Sequence, residues 1–115
     1  MPGSQEVNVI QVGRPPKILT DATTITGLDC SENDMFKVTL GGSRIMALPT
    51  NGRTGQIIRI LITQDSTGSR LVTWTGWFKP ATFTLTTTAA HMDIVTAFYD
   101  GTNWYLSLTL DVAVV

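Results

Sequence analysis

Apolar residues recur at every second position in four stretches of the chain. Phe36, Val38 and Leu40 share one face of an extended segment, as do Ile58, Ile60 and Ile62, then Met92, Ile94 and Phe98, and last Trp104, Leu106, Leu108 and Leu110. A period of two is the signature of strands that turn one side to a core. Turn-forming clusters separate these runs at intervals of about ten to fifteen residues: Ser31-Glu-Asn-Asp, Gly41-Gly-Ser, Pro49-Thr-Asn-Gly, Asp65-Ser-Thr-Gly-Ser, Lys79-Pro and Asp100-Gly-Thr-Asn. Many short strands with regular turns predict an all-β domain, an antiparallel β-sandwich or jelly-roll-like barrel.

Two hairpins are expected. In the last, Val95-Thr-Ala-Phe-Tyr and Trp104-Tyr-Leu-Ser-Leu flank Asp100-Gly101-Thr102-Asn103, with Gly101 free to take a positive φ. The other joins residues 57–64 to 70–74 across Asp65-Ser-Thr-Gly-Ser, where Asp65 can accept bonds from the turn backbone and Gly68 can supply a left-handed residue.

The two ends of the chain differ from this pattern. Val7-Asn-Val-Ile-Gln-Val12 is a short apolar patch, and Gly13-Arg-Pro15-Pro16 after it breaks any ladder and imposes an extended joint. Residues 1–20 therefore read as an extended N-terminal arm ahead of a domain spanning 21–115. Val7, Val9, Ile10 and Val12, with Pro15 and Pro16, are its assembly residues, and they pack either on the arm's own domain or on a neighbouring subunit. The other end, Leu110-Asp-Val112-Ala-Val114-Val115, stays apolar where termini are usually polar, which marks Val112, Val114 and Val115 as an interface.

Composition strengthens the β reading. The 115 residues include 19 Thr against two Glu and three Lys, a balance poor in the best helix formers. Charged residues are 15% of the chain, below the roughly 25% of ordinary domains, so much of the surface is uncharged or covered by partners. The net charge is −1 and no run of Lys or Arg occurs, so neither nucleic acid nor an anionic membrane is an expected partner. One cysteine, Cys30, cannot form an internal disulfide, and the first residues carry neither a basic start nor an apolar run, so synthesis in a reducing cytoplasm without a secretory signal is expected.

Candidate chemistry is sparse. His91 is the only histidine, and His91-x-Asp93 places two metal-ligand types on one strand face, yet a metal site needs three or four. A nucleophile triad would need the same His91, and no nucleophile-elbow glycine pattern surrounds any serine. Most Asp residues stand at turn positions, and no phosphate-binding glycine loop is present. Neither catalysis nor a cofactor nor a metal is expected. The aromatics remain: Trp74, Trp77 and Phe78 cluster in sequence, and Trp104-Tyr105 forms a second pair. These serve either core and interface packing or stacking against a ligand such as a sugar ring.

The second half carries a distinctive series: Gln64-Asp-Ser-Thr-Gly-Ser-Arg-Leu-Val-Thr-Trp74, then Leu85-Thr-Thr-Thr-Ala89, then Asp93-Ile, then Phe98-Tyr-Asp-Gly-Thr-Asn-Trp-Tyr105. Together with Asp21-Ala-Thr-Thr-Ile25, Phe36-Lys-Val-Thr-Leu-Gly-Gly-Ser-Arg44 and Pro49-Thr-Asn-Gly, it resembles a module of tailed-bacteriophage structural proteins, over about residues 20–110. The resemblance implies a virion location and homotrimeric assembly. It leaves two places on the particle: a capsid decoration (cement) protein docked on the major capsid protein, which the short chain and its apolar ends favour, or a tail-fibre or head-fibre module that binds a host receptor or glycan.

Overall fold

The computed structural model describes residues 15–76, 78–80 and 83–113. The arm positions Val7, Val9, Ile10 and Val12, the aromatic Trp77 and the C-terminal Val114 and Val115 lie outside the described residues. Every regular element among the described residues is a β-strand: β1 Lys17–Ile18, β2 Thr24–Ile25, β3 Met35–Leu40, β4 Arg44–Met46, β5 Ile57–Gln64, β6 Val72–Trp74, β7 Phe78–Lys79, β8 His91–Tyr99 and β9 Trp104–Ala113.

The first six strands wind rather than fold back. Odd-numbered β1, β3 and β5 lie side by side and parallel in one sheet, while β2, β4 and β6 lie parallel in a second. Each pair of successive strands is therefore one rung of a solenoid-like coil, stacked on the rung before it. A short third side is stitched where Cys30 N donates to Thr50 O and Thr50 N donates to Leu28 O, both at 2.8 Å. Strand β8 then closes the first sheet by pairing antiparallel with β5. β9 pairs antiparallel with β8, and β7 adds parallel to β9, giving the order β1-β3-β5-β8-β9-β7.

The all-β expectation holds, but the expected antiparallel arrangement of the first half does not. Residues 57–64 and 70–74 do not form a hairpin, since β5 and β6 belong to different sheets. Alternation reports which side of a strand is buried and carries no information about whether its neighbour runs parallel or antiparallel. The last hairpin is as expected: Tyr99 pairs with Trp104, Asp100 N donates to Asn103 O, and Gly101 sits at φ 100°.

Inward-facing residues stack in rows across the rungs. Phe36, Ile60, Val95 and Leu108 are consecutive register partners, as are Ile25, Met46 and Trp74 in the smaller sheet. All of these but the partly buried Leu108 are buried. On β8 the core side carries Asp93, Val95 and Ala97, so Met92, Ile94 and Phe98 share the outer face instead. Leu19, just after β1, is also buried, with its N–H bonded to Lys37 O.

The corner between β5 and β6 explains a run of the sequence residue by residue. Gln64 is 3% exposed; its amide donates to Arg70 O and Thr86 O and accepts from Arg70 N, all at 2.9 Å. Asp65 accepts from Thr67 N at 3.1 Å and Gly68 N at 3.0 Å, and pairs with the Arg70 guanidinium at 2.9 Å. Gly68 holds φ 73°, and a β-carbon there would run into the backbone of Thr87 and Ala89. A rung away, Arg44 forks onto Asp21 at 2.7 and 2.8 Å, and Gly41 N donates to the same carboxylate. Hydrogen bonds from Arg44 to Asp21 and from Arg70 to Asp65 hold both carboxyl pKa values below the ordinary range. Both pairs are partly exposed and worth little individually.

Candidate functional site

The end of the molecule that carries the β8–β9 turn has a cleft of about 330 Å³, lined by Leu48, Pro49, Tyr99, Gly101, Thr102 and Trp104. Two separate parts of the chain build it. Leu48 and Pro49 come from the loop after β4, and the other four come from the hairpin. Local chemistry fixes the hairpin part, because Asp100 accepts from Thr102 N and Asn103 N at 2.8 Å and from Tyr105 Oη at 3.0 Å. The backbone donors of Asn103 and Thr102, with the Tyr105 hydroxyl, hold the Asp100 pKa below its ordinary value.

Tyr99 and Trp104 stack with ring centroids 4.5 Å apart and planes 20° apart. The Trp104 ring is wedged, being 3% exposed, and a β-carbon on Gly52 would come 2.7 Å from its edge. Trp104 therefore braces the cleft floor while the half-buried Tyr99 offers the accessible aromatic surface. The Tyr99 hydroxyl donates to Gly101 O at 3.0 Å, which aligns the ring along the wall. Apolar walls, one aromatic ring, a threonine hydroxyl and backbone carbonyls suit a neutral ligand with both apolar faces and hydroxyls.

The sequence candidates fall in different places. Trp74 and Phe78 are buried and meet edge to face at 4.9 Å, with Phe83 4.9 Å from Trp74 on another side. They form a core cluster, distinct from the cleft, in which Trp74 Nε1 and Thr75 Oγ1 have no hydrogen-bond partner. Tyr105 is exposed on the outer face of the larger sheet, Val112 is partly buried near the end of β9, and Pro15 and Pro16 precede β1. Of the named aromatics among the described residues, only Trp104 lines the cleft. Tyr99, Leu48, Pro49 and Thr102 were missed. Tyr99 was legible, since the Asp-Gly turn places it opposite Trp104, but Leu48 and Pro49 meet the hairpin only through the coil.

His91 and Asp93 bond different partners. The His91 ring bonds Asp111 Oδ1, while buried Asp93 accepts from Thr86 N at 2.7 Å and Asp111 N at 2.9 Å, bracing the chain on both sides of β8. Among the described residues no group of three His, Cys, Asp or Glu is arranged around a common point. His91 also opens β8 whereas Tyr99 closes it, about 26 Å away along the strand. Among the described residues, the cleft lining includes no histidine, cysteine or carboxylate.

Residues 16–104 match the family described as "Putative phage tail fibre C-terminal domain". No characterised protein and no solved structure matches the chain significantly.

Proposed function

Because this chain belongs to the phage tail fibre C-terminal domain family, we propose that it is the part of a tail fibre that meets the host, a non-catalytic binding module that works as an assembly of three copies. The single observation that carries this reading is the family match across residues 16–104, which takes in both rung corners and all six residues lining the cleft. It favours the fibre over a capsid decoration role, and a virion structural protein is common ground to both. The cleft lined by Tyr99 and Thr102 supports a surface sugar as the ligand, since a half-exposed aromatic ring beside hydroxyl and carbonyl groups suits a sugar's apolar face and its hydroxyls.

Gold-labelled antibody to this chain on purified particles should mark the tail fibres, and label confined to the head shell would refute the proposal. Purified chain added to host cells should slow phage adsorption. Thr102→Arg, which lays a long side chain across the cleft mouth without touching the core, should abolish that competition. If the variant competes as well as the parent, the host contact lies elsewhere.

A further inference from the structure

The larger sheet turns one face to the core, and no described element covers its other face. There the register aligns Ile57 with Phe98 and Phe98 with Tyr105, so three large side chains, 47%, 44% and 44% exposed, form a row across β5, β8 and β9. Two rows along, Ile18, Leu61 and Ile94 share a row with Lys37. A sheet with one solvated face alternates apolar with polar residues, whereas clustered apolar residues on both faces mark a sheet that is covered on both.

The charges on this face narrow its occupant. Lys37 on β3, Arg59 on β5 and Lys79 on β7 all stand in its rows, and the paired positions of those rows include no acidic residue. None of the three cations forms an ion pair among the described residues. The complementary charge lies elsewhere on the same chain. Asp29, Glu32 and Asp34 stand where the third side of the coil turns into β3, and Asp29 and Asp34 form no ion pair with Lys or Arg among the described residues. Two copies packed face to face would set cation against cation, which disfavours that pairing, whereas the acidic side of one copy suits the basic, apolar face of the next.

Area points the same way. Each position on a sheet face occupies about 4.8 by 6.6 Å, so four rows of four or five residues span roughly 500 Å². A face-to-face pair would bury only that much on each copy, short of the roughly 800 Å² per partner of a standard interface. A copy that gives this face at one contact and its acidic side at another buries about 1,000 Å². We infer that a second copy of this chain covers the outer face of the larger sheet with the acidic side of its coil, and that repetition of this head-to-tail contact closes a ring. The contact rests on the assembly of three copies proposed above and supplies the surfaces that assembly uses.

Sedimentation of the full chain tests the contact. The parent should run as an assembly at micromolar concentration. Phe98→Glu puts an acid where the partner presents acids, and should shift the mass to that of one chain while the circular dichroism spectrum stays that of the parent. Ile45→Glu, at a site 39% exposed on the smaller sheet, should sediment like the parent. In assemblies reformed from light and heavy isotope-labelled chains, a carbodiimide, which takes up the water released as each amide forms, should join Lys37 or Lys79 of one copy to Asp29, Glu32 or Asp34 of another. A parent of one-chain mass, a Phe98→Glu variant of parental mass, equal dissociation by Ile45→Glu, or amides only within single chains would each overturn the inference. An assembly of some other number joined by these amides would uphold the contact and overturn the count of three, and gold label confined to the head shell would overturn the fibre reading alone.

Discussion

Replacing Gln64 by leucine isolates what one buried amide does for the coil. The side chain keeps its approximate volume, so no large cavity opens, but three hydrogen bonds to Arg70 N, Arg70 O and Thr86 O are lost together. At a net ~1 kcal/mol each, the loss is about 3 kcal/mol, and orphaned backbone groups push it upward. For a domain of this size, that lowers Tm by roughly 15 °C. Denaturant unfolding should show a lower midpoint with unchanged slope. Thr63→Ala, one residue earlier on the outer face, should stay within about 0.5 kcal/mol of the parent. Gln64→Glu separates hydrogen bonding from shape. An ionised carboxylate still accepts from Arg70 N but faces two carbonyls to which it cannot donate, whereas its protonated form can donate to one. Folding therefore raises the pKa of the new carboxyl above its ordinary ~4.3. Relative to the parent, this variant is least destabilised below that value and loses stability as pH rises through the raised pKa. A leucine variant within about 0.5 kcal/mol of the parent, or a glutamate variant whose deficit does not change with pH, would refute the role assigned to Gln64.

Gly68→Ala should cost about 3 kcal/mol in denaturant unfolding, since φ 73° penalises a side chain and the new β-carbon would lie 2.7 Å from Thr87 O and 2.9 Å from Ala89 N, both backbone atoms. Burial pushes the Cys30 thiol up to about 11, helped by the charges of Asp29 and Asp34, so a thiol reagent at pH 8 should leave it unmodified in the folded protein and modify it fully on unfolding. Bonds from Asn51 and Ser31 hold Asp29 down to about 2 against an ordinary 3.8. Its contribution is therefore present above about pH 4 and lost as pH falls toward 2, and Asp29→Asn should flatten that part of an acid-unfolding curve.

Much of this protein can be read along the chain. Alternation in residues 36–40, 58–62 and 104–108 identifies core-facing sides of strands, because burial of one face imposes a period of two whatever the partner strand does. Turn chemistry is equally local: Asp65 and Asp100 bond their own following backbone, and Gly68 and Gly101 take positive φ, as their types require. The β8–β9 hairpin was legible because its two strands are joined by four residues.

Tertiary structure decided which strands become neighbours. Nineteen residues separate the register partners Lys17 and Phe36, and 24 separate Phe36 and Ile60, so the rungs are unequal and leave no fixed repeat to detect in the sequence. The Asp65–Arg70 turn serves a corner between two sheets as well as it would a hairpin, and only the pairing of β5 with β3 and β8 tells these apart. The cleft shares this dependence. Leu48 and Pro49 reach Tyr99 and Trp104 through the winding of the coil, and Gly52 is small because Trp104 is wedged against it, a contact between residues 52 positions apart that no local pattern records.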